Sequence, residues 1–331
     1  MALTARTLGK TDIQVTTLGF GGAPLGAAGD RITDEQVTAV VEAAWEGGIR
    51  YFDTAPLYGH GLSEKRLGAH LGALPRDNFV LSSKVGRLLV PEPEGVRYPG
   101  MRDSEPFGVR YDYSYEGARR SLESSLERLG LDRIDILLCH DIDVWTHGDD
   151  QPRIFETAAG GILRALADLR SEGVIRAFGL GVNEAEVCSR VMERFDVDCF
   201  LLAGRFTLLE QSPLDDLLPS CAEQQVSVII GGPYNSGLLA TADRSRATYD
   251  YKPVDDERWT KAQRIREICE AHGVDARAAA LQYPLRHPAV ASVIPGVRSV
   301  EEVRTNLALI DSDIPDSLWD DLAEAGLARR I

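Results

Sequence analysis

The sequence predicts an α/β fold, a single (β/α)8 TIM barrel that spans residues 1–331 and carries long loops at its C-terminal face. Three observations favour this fold. Eight short apolar runs have the character of β-strands, segments of helical period separate them, and no linker rich in proline, serine or glycine divides the chain. Because strands and helices alternate without interruption, a closed barrel is favoured over an open doubly wound sheet.

The predicted strands are rich in valine, isoleucine, leucine and phenylalanine. They are apolar on both faces, which is typical of a parallel sheet that helices cover. The eight runs are VTTLGFG (15–21), IRYFDT (49–54), NFVLSSK (78–84), IDILLCH (134–140), IRAFGLGV (175–182), DCFLLAG (198–204), VSVIIGG (226–232) and ASVIPG (291–296).

Helical periodicity is clearest in three segments, 33–48, 114–130 and 159–173. Thr33 and Ser114 stand where the first two helices would be N-capped, and acids follow each of them in the first turn. The last two segments end in glycine, as helix C-termini often do. Residues 4–14 precede the first strand, and we expect them to form a hairpin that plugs the bottom of the barrel.

Three connections are longer than a turn from strand to helix requires, namely residues 85–113, 141–158 and 233–256. Each follows the C-terminal end of a strand, the face on which such barrels keep their active sites. Long loops inside compact domains are usually functional. Their tyrosine, tryptophan, arginine and aspartate content suits a polar ligand such as a sugar, and it suits a plain surface loop equally well.

The composition is that of a globular protein, with 44% hydrophobic and 26% charged residues. The formal net charge of −15 argues against nucleic-acid binding, which needs clustered positive charge. No apolar run resembles a signal peptide or a membrane span. The five scattered cysteines form no CxxC pair and are expected to be free thiols in a reducing compartment. We therefore expect a cytoplasmic monomer or small homo-oligomer without nucleic-acid or membrane partners.

Polar residues stand at the ends of consecutive predicted strands. Asp53 lies near the end of the second strand, and Tyr58 follows it in the loop. Lys84 ends the third strand and His140 the fourth, while Asn183 follows the fifth. Taken singly, each has a structural interpretation, such as a turn-capping aspartate or a lysine that reaches solvent. Because neighbouring strand ends converge in a barrel, their joint placement favours a site.

Together these groups suit proton transfer at an oxygen-bearing carbon. A free tyrosine has a pKa of about 10, too high for efficient proton transfer near neutral pH. The ammonium of Lys84, within hydrogen-bonding reach, would lower the pKa of Tyr58, and Asp53 would keep the lysine charged. His140 would hydrogen-bond a substrate oxygen. The set contains neither a nucleophile nor a metal, so redox chemistry there needs a hydride partner.

The motifs that hold these residues resemble those of the aldo-keto reductase family. They are YFDTAPLYGHGLSEKRLG, LSSKVG, LLCHD, GLGVN and SVIPGVRSVEEVRTNL, and the resemblance covers nearly the whole chain. It implies a (β/α)8 barrel that binds a nicotinamide dinucleotide without a Rossmann domain. It also implies that Tyr58 is the general acid/base and that Lys84 and Asp53 tune its pKa. His140 would orient the substrate oxygen.

The resemblance also implies where the cofactor is bound. The positions are Asn183, Gly231, Gly237, Leu238, Pro295, Gly296, Glu302 and Asn306. Family members that use NADP typically carry a Lys-Ser pair after the eighth-strand proline and an arginine further on. Gly296 and Val297 take the positions of that pair, and Glu302 takes the position of the arginine. A carboxylate repels the 2′-phosphate and can accept a hydrogen bond from a ribose hydroxyl, so NAD is expected and NADP is less favoured.

Other positions depart from the family pattern and leave some contacts open. Arg298 and Arg304 could partly restore phosphate binding. Gly231 stands where the family has a tyrosine that stacks on the nicotinamide, and Tyr234, three residues further on, is an open candidate to replace it. Val182 stands where a serine often precedes the asparagine.

Two further stretches, LAGRFTLLEQ and GGPYNSGLLA, resemble family members that oxidise sugars. This implies NAD(P)-dependent oxidation of the C1 hydroxyl of an aldose, of L-fucose, D-arabinose or L-galactose type, to a lactone. The alternatives within the family are a pyridoxal 4-dehydrogenase and a general aldehyde or ketone reductase. The alternatives from other classes are a Schiff-base lyase using Lys84, a non-catalytic nucleotide-binding barrel and a metal enzyme built on HDIDVWTH (140–147). Asp53 opposes the lyase, and the spacing in 140–147 does not gather all four metal-binding side chains.

Overall fold

The computed structural model of the chain describes residues 3–26, 32–91, 95–96 and 105–331. Its central feature is a sheet of eight parallel strands, in which neighbours in sequence are neighbours in space. The strands are β1 (Phe20–Gly21), β2 (Tyr51–Asp53), β3 (Val80–Val85), β4 (Ile136–His140), β5 (Ala177–Val182), β6 (Cys199–Ala203), β7 (Ser227–Gly231) and β8 (Val290–Ile294). Parallel bridges from Leu18 to Val293 and from Gly21 to Gly296 join the first strand to the last. The predicted (β/α)8 barrel is confirmed.

The strands are buried on both faces because helices pack outside the sheet and side chains fill its interior. Every residue of β3, β4 and β5 is buried. The interior cluster includes Tyr51, Ile136, Leu138, Ala177 and Ile229. This explains why the strands are continuous apolar runs in the sequence rather than alternating ones.

The N-terminal segment closes one end of the barrel, as predicted. Ala5–Thr7 pairs with Gln14–Thr16 in an antiparallel hairpin. Leu8, Ile13 and Val15 are fully buried, in the same apolar cluster as the barrel interior. The C-terminal ends of the strands lie at the opposite end of the barrel.

The described residues contain twelve α-helices. They are α1 (Asp34–Glu46), α2 (Leu62–Leu71), α3 (Tyr115–Leu129), α4 (Val144–His147), α5 (Gln151–Gly160), α6 (Ile162–Ser171), α7 (Glu186–Met192), α8 (Leu217–Gln224), α9 (Asp256–Ala271), α10 (Ala276–Leu285), α11 (Val300–Ile310) and α12 (Asp316–Glu324). Thr33 and Ser114 are N-caps, each accepting a backbone hydrogen bond, as predicted. No helix in these ranges has the length and the apolar composition needed to cross a membrane.

The predicted long connections are more ordered than the sequence suggests. The interpretation of 141–158 as a loop is wrong, because α4 and α5 occupy most of it and α6 begins only at Ile162. Residues 85–113 contain an antiparallel hairpin, Arg87–Pro91 with Phe107–Tyr111, and residues 92–94 and 97–104 of that connection lie outside the described residues. Residues 233–256 contain a short hairpin, Thr248–Tyr249 with Lys252–Pro253.

Candidate active site

The C-terminal ends of β2, β3 and β4 bring three predicted site residues to one face of the barrel. Asp53 ends β2 and pairs in register with Ser82 of β3. Lys84 pairs with Leu138 of β4, and His140 ends that strand. Asp53, Lys84 and His140 are only 2%, 2% and 5% exposed. Burial of three ionisable groups in one place requires specific partners.

Asp53 and Lys84 are each other's partners. Lys84 Nζ donates to Asp53 Oδ2 at 2.7 Å and to the carbonyl oxygen of Thr54 at 2.9 Å. Ser82 Oγ donates to the other carboxylate oxygen at 2.7 Å. Burial alone lowers the pKa of Lys84, but the charges of Asp53 and Tyr58 outweigh it and raise that pKa above its ordinary value. Lys84 is therefore an ammonium, held by the carboxylate.

Tyr58 lies over this ion pair. The turn after β2 packs closely on residues 23–26, where a Cβ on Gly59 would lie 2.5 Å from the carbonyl oxygen of Gly26. Lys84 Nζ lies 4.8 Å from the centre of the half-buried Tyr58 ring. The ring of His140 meets that of Tyr58 edge-on, with centroids 6.3 Å apart. The structure thus brings together all four residues that the sequence singled out.

The expected lowering of the Tyr58 pKa is wrong in its net direction. Burial raises the pKa of Tyr58 to about 12, which the charge of Lys84 opposes and the charge of Asp53 reinforces. Lys84 acts in the predicted sense, but the desolvation of the phenolate is larger. In this state of the protein Tyr58 is a neutral phenol at physiological pH.

His140 is flanked by a second set of polar groups. Its Nε2 lies 3.3 Å from Asp141 Oδ2, and its Nδ1 is buried without a hydrogen-bond partner among the described residues. Burial and the nearby charges of Arg87 and Lys84 lower the pKa of His140 well below its usual range. His140 is therefore a neutral imidazole at physiological pH.

The stretch HDIDVWTH does not gather a metal site. Across the described ranges, no group of His, Cys, Asp and Glu side chains has the arrangement that holds a metal ion. Asp143 instead caps α4 by accepting from the backbone of Thr146. His147 Nε2 lies 2.9 Å from the hydroxyl of Tyr113 and 3.0 Å from the carbonyl oxygen of Asp141.

The positions implied for the nicotinamide end of a cofactor follow β5 and β7. The amide of half-buried Asn183 donates to Asp141 and Asp143. Gly231 ends β7, beside the strand end of β6. Gly237 has φ +95° and nothing within 4 Å of the place where a Cβ would be. Leu238 follows it with a fully buried side chain.

The positions implied for the adenosine end lie around β8 and the start of α11. Pro295 is buried and Gly296 is exposed. Ser299 caps α11, and the exposed Glu302 accepts the backbone N–H of Arg298 at 2.6 Å. Asn306 Oδ1 accepts from the hydroxyl of Tyr234 at 2.6 Å. That bond places Tyr234, the candidate to replace the tyrosine that stacks on the nicotinamide, at the implied adenosine end.

These features fit a nicotinamide dinucleotide. The glycines after β7 leave the backbone open, because Gly232 and Gly237 both have positive φ and a Cβ on either would have no neighbouring atom closer than 3.8 Å. Asn235 Oδ1 is buried nearby without a hydrogen-bond partner in the described parts of the chain. Asn183, directly after β5, supplies a half-buried amide.

Sequence reasoning missed several residues of this face. Asp141 and Arg87 form a buried ion pair beside His140, with 2.5 Å between Arg87 Nη2 and Asp141 Oδ2. An aromatic rim, defined here as Tyr111, Trp145 and Tyr251, is exposed by 38%, 51% and 88%. Each of the three comes from a different long connection. The length and the aromatic content of the three connections indicate the rim in the sequence. A single arginine in one of these connections gives no indication of its ion pair with Asp141.

Comparisons with known proteins agree with this geometry. The sequence model of the Aldo/keto reductase family matches residues 17–326. The chain is 40% identical to pyridoxal 4-dehydrogenase of Microbacterium luteolum over 97% of each chain. It is 40% identical to D-threo-aldose 1-dehydrogenase of a Pseudomonas species over 99% of each chain.

The same similarity is found among solved structures. The holo form of an aldo-keto reductase from Bacillus halodurans superimposes with a TM-score of 0.77 at 26% identity, covering 99% of this chain and 97% of that one. The barrel, the residues at the strand ends and the family match agree with one another. This chain therefore belongs to the aldo/keto reductase family.

Proposed function

We propose that this oxidoreductase oxidises the C1 hydroxyl of an aldose to a lactone, with NAD as the preferred hydride acceptor. Aldo-keto reductases use nicotinamide cofactors, which sets the reaction class. The relative named D-threo-aldose 1-dehydrogenase supports an aldose as substrate, because its similarity extends over the whole chain. We propose sugars of L-fucose, D-arabinose or L-galactose type.

The observation that carries the proposal is the Asp53–Lys84 ion pair beneath the ring of Tyr58. A lysine with a raised pKa is a permanent cation, and its field favours the phenolate over the phenol. His140 meets the tyrosine ring edge-on and is neutral, so it can donate a hydrogen bond without transferring a proton. The arrangement thus provides one proton-transfer group and one orienting group.

The chemistry divides simply between these residues. A bound nicotinamide supplies the acceptor for the hydride. Tyr58, as the phenolate, takes the proton of the C1 hydroxyl as the C1–H bond breaks and the C1–O bond becomes the lactone carbonyl. Lys84 stabilises the phenolate before it accepts the proton, Asp53 holds Lys84, and His140 fixes the reacting oxygen.

The same ion pair argues against a Schiff-base lyase. An amine must lose its proton to attack a carbonyl. Lys84 is bound to Asp53 at 2.7 Å and has a raised pKa, so its free amine is disfavoured. Borohydride with a carbonyl substrate should therefore leave Lys84 unmodified.

The test of the reaction is a substrate panel. Reduced nicotinamide formation is followed by absorbance with L-fucose, D-arabinose, L-galactose and pyridoxal, each with NAD and with NADP. A sugar should give the highest kcat/KM. The relative named pyridoxal 4-dehydrogenase makes pyridoxal the second candidate, and a pyridoxal preference would replace the sugar proposal.

The test of the mechanism is Tyr58→Phe. Loss of the proton acceptor should lower kcat by about 10²–10⁴-fold, the usual contribution of general acid–base catalysis. Tyr115→Phe is the matched control, because it removes a hydroxyl on α3 that bonds to Asp168. If Tyr58→Phe keeps the rate of the Tyr115 variant, Tyr58 is not the base. If no panel member reduces either cofactor, the barrel is a non-catalytic binder or has another substrate.

The preference for NAD is proposed from Glu302. Its carboxylate is held at the start of α11 by the backbone N–H of Arg298. That bond is a capping contact in its own right, and it fixes the carboxylate at the position where family members that use NADP carry an arginine. Two like charges in contact in water repel by about 1 kcal/mol, which favours the cofactor without a phosphate.

Glu302→Gln tests this preference with little disturbance of the cap, because the amide oxygen can still accept from Arg298. The ratio of kcat/KM for NADP to that for NAD should rise by about five- to tenfold, the change that 1 kcal/mol or slightly more produces. Glu302→Arg should raise it further. Gly296→Lys is a poor test, since its Cβ would lie 2.9 Å from Pro24. An unchanged ratio in both Glu302 variants would remove the argument for NAD.

A further inference from the structure

Asp141 is the acid that links the histidine of the proposed site to the asparagine implied for the cofactor. It follows β4 directly, with a left-handed backbone (φ +48°). Its Oδ2 lies 2.5 Å from Arg87 Nη2 and 3.3 Å from His140 Nε2. Its Oδ1 accepts from Asn183 Nδ2 at 3.0 Å. One carboxylate thus contacts both groups that would flank the reacting atoms.

The carboxylate is buried and charged. Asp141 is 7% exposed and Arg87 is 4% exposed. Burial raises the pKa of Asp141 to about 6, against the opposing charge of Arg87 and with a smaller contribution from Asp143. Asp141 is therefore largely an anion at pH 7 and above. An anion at this place affects where the hydrogen atoms of the neighbouring polar side chains lie.

The first effect concerns the hydrogen on His140. A neutral imidazole carries one hydrogen, on either ring nitrogen. A carboxylate 3.3 Å from Nε2 favours the hydrogen at Nε2, because a bare nitrogen there would set two electron-rich atoms against each other. The buried Nδ1 has no acceptor among the described residues that would hold the hydrogen on that side. His140 is thereby prepared as an Nε2–H donor.

The second effect concerns the orientation of the Asn183 amide. Asp141 and Asp143 both present carboxylate oxygens to Nδ2, at 3.0 and 3.3 Å. Carboxylates only accept hydrogen bonds, so the NH2 group of the asparagine must face them and its carbonyl oxygen must face away. The amide is left with an acceptor for a ligand N–H group, such as that of a carboxamide.

We propose that Asp141 is a positioning residue that fixes the Nε2–H tautomer of His140 and the amide orientation of Asn183 at the same time. The proposal rests on the proposed function for the roles of the two residues it positions. It gives a use to the acidic stretch after β4 that metal binding does not explain. Asp141 would thereby connect His140, which would bind the substrate oxygen, to Asn183, which would bind the cofactor.

Asp141→Asn removes the charge and keeps the size of the side chain. Asp135→Asn is the matched control. Asp135 is a buried acid paired with Arg76 at 2.6 Å, and it precedes β4 as Asp141 follows it. Each variant removes the charge of a buried aspartate that is paired with an arginine, so the control reports the general cost of losing such a charge.

The direct readout is ¹⁵N NMR of the histidine side chains, with His140 identified by its absence in His140→Gln. The wild type and Asp135→Asn should show His140 as the Nε2–H tautomer. Asp141→Asn should show a shift towards the Nδ1–H tautomer. If the Asp141 variant keeps the wild-type tautomer, the proposed effect on His140 is refuted.

The second readout is binding of NADH and of ADP-ribose, which lacks the nicotinamide. Asp141→Asn should raise the Kd for NADH by about tenfold, the loss of roughly one hydrogen bond, and leave the Kd for ADP-ribose unchanged. An equal change for both ligands, or none, refutes the effect on Asn183. Neither measurement needs catalytic turnover, so the positioning role of Asp141 can be refuted independently of the proposed oxidation of sugars.

Discussion

Lys84→Met is the substitution whose consequences the structure defines most closely. It deletes the cation that neutralises Asp53, a carboxylate only 2% exposed. The carboxylate keeps the bond from Ser82 Oγ and loses the 2.7 Å bond from Lys84. Removing one partner of a buried ion pair costs about 3–5 kcal/mol, because the other charge is left without compensation. We expect a loss of this size in the free energy of unfolding at pH 8 to 9.

The loss should depend on pH in a defined direction. Burial already raises the pKa of Asp53, and Lys84 is the main group that lowers it. Without Lys84 the folded-state pKa rises further above the unfolded value. A raised folded-state pKa stabilises the fold below the unfolded pKa, and this contribution is lost as pH rises through the folded pKa. The deficit of the variant should therefore shrink on acidification by about 1.4 kcal/mol per pH unit below the folded pKa.

The assay is urea unfolding followed by circular dichroism from pH 6 to pH 9, above the sequence pI of about 4.9. Asp53→Asn added to Lys84→Met removes the uncompensated charge and keeps an acceptor for Ser82. The double variant should recover most of the stability lost at pH 9 and show no pH-dependent deficit. A Lys84→Met deficit that is constant from pH 6 to pH 9, without recovery in the double variant, would refute this account of the buried pair.

Two further predictions concern the site itself. Because burial raises the pKa of Tyr58 to about 12, the phenolate is the minor form at neutral pH; the rate of sugar oxidation should rise with pH, up to tenfold per unit, while reduction, which uses the phenol, should not rise. A pH profile of oxidation that falls between pH 6 and 9 would contradict a phenolate base. Tyr251 is 88% exposed, and it lies near enough to Tyr58 for its ionised form to raise the pKa of Tyr58, so Tyr251→Ala should raise the KM for a sugar severalfold without loss of stability. Lys252→Ala, at the next position of the same hairpin, is the control, and an equal KM in both variants would exclude contact of Tyr251 with the substrate.

The fold could be predicted from the sequence because its strands are buried on both faces. Continuous apolar runs such as ILLC in β4 and CFLLA in β6 have no polar face to obscure them, and each lies at the predicted place. The polar residues that break those runs stand out for the same reason. Asp53, Lys84 and His140 are visible as site candidates because a buried strand seldom ends on a charged side chain.

The remainder of the site depends on contacts that sequence patterns do not encode. Arg87 belongs to a hairpin outside the barrel, and nothing in its neighbours predicts a partner after β4. The stretch after His140 resembles a loop in sequence because Gly148, the two acids that follow it and Pro152 break the helical period. The sign of the Tyr58 pKa shift also required the structure, since it depends on how far burial exceeds the effect of one neighbouring cation.

The Asp53–Lys84 pair is explained better by its effect on Tyr58 than by its contribution to the stability of the fold. Buried ion pairs are poor sources of stability, because desolvation offsets most of the attraction, and apolar replacements of similar volume often stabilise a protein. Much of the interior of this barrel is apolar, and its apolar cluster includes Tyr51, Leu138 and Ala177. Stability alone therefore gives no reason for a lysine here. Its ammonium lies 4.8 Å from the centre of the Tyr58 ring, where its charge lowers the pKa of Tyr58 against the effect of burial. Asp53→Leu with Lys84→Met should accordingly yield a barrel at least as stable as the wild type that cannot transfer the proton, and a double variant that keeps its activity would separate the pair from the chemistry.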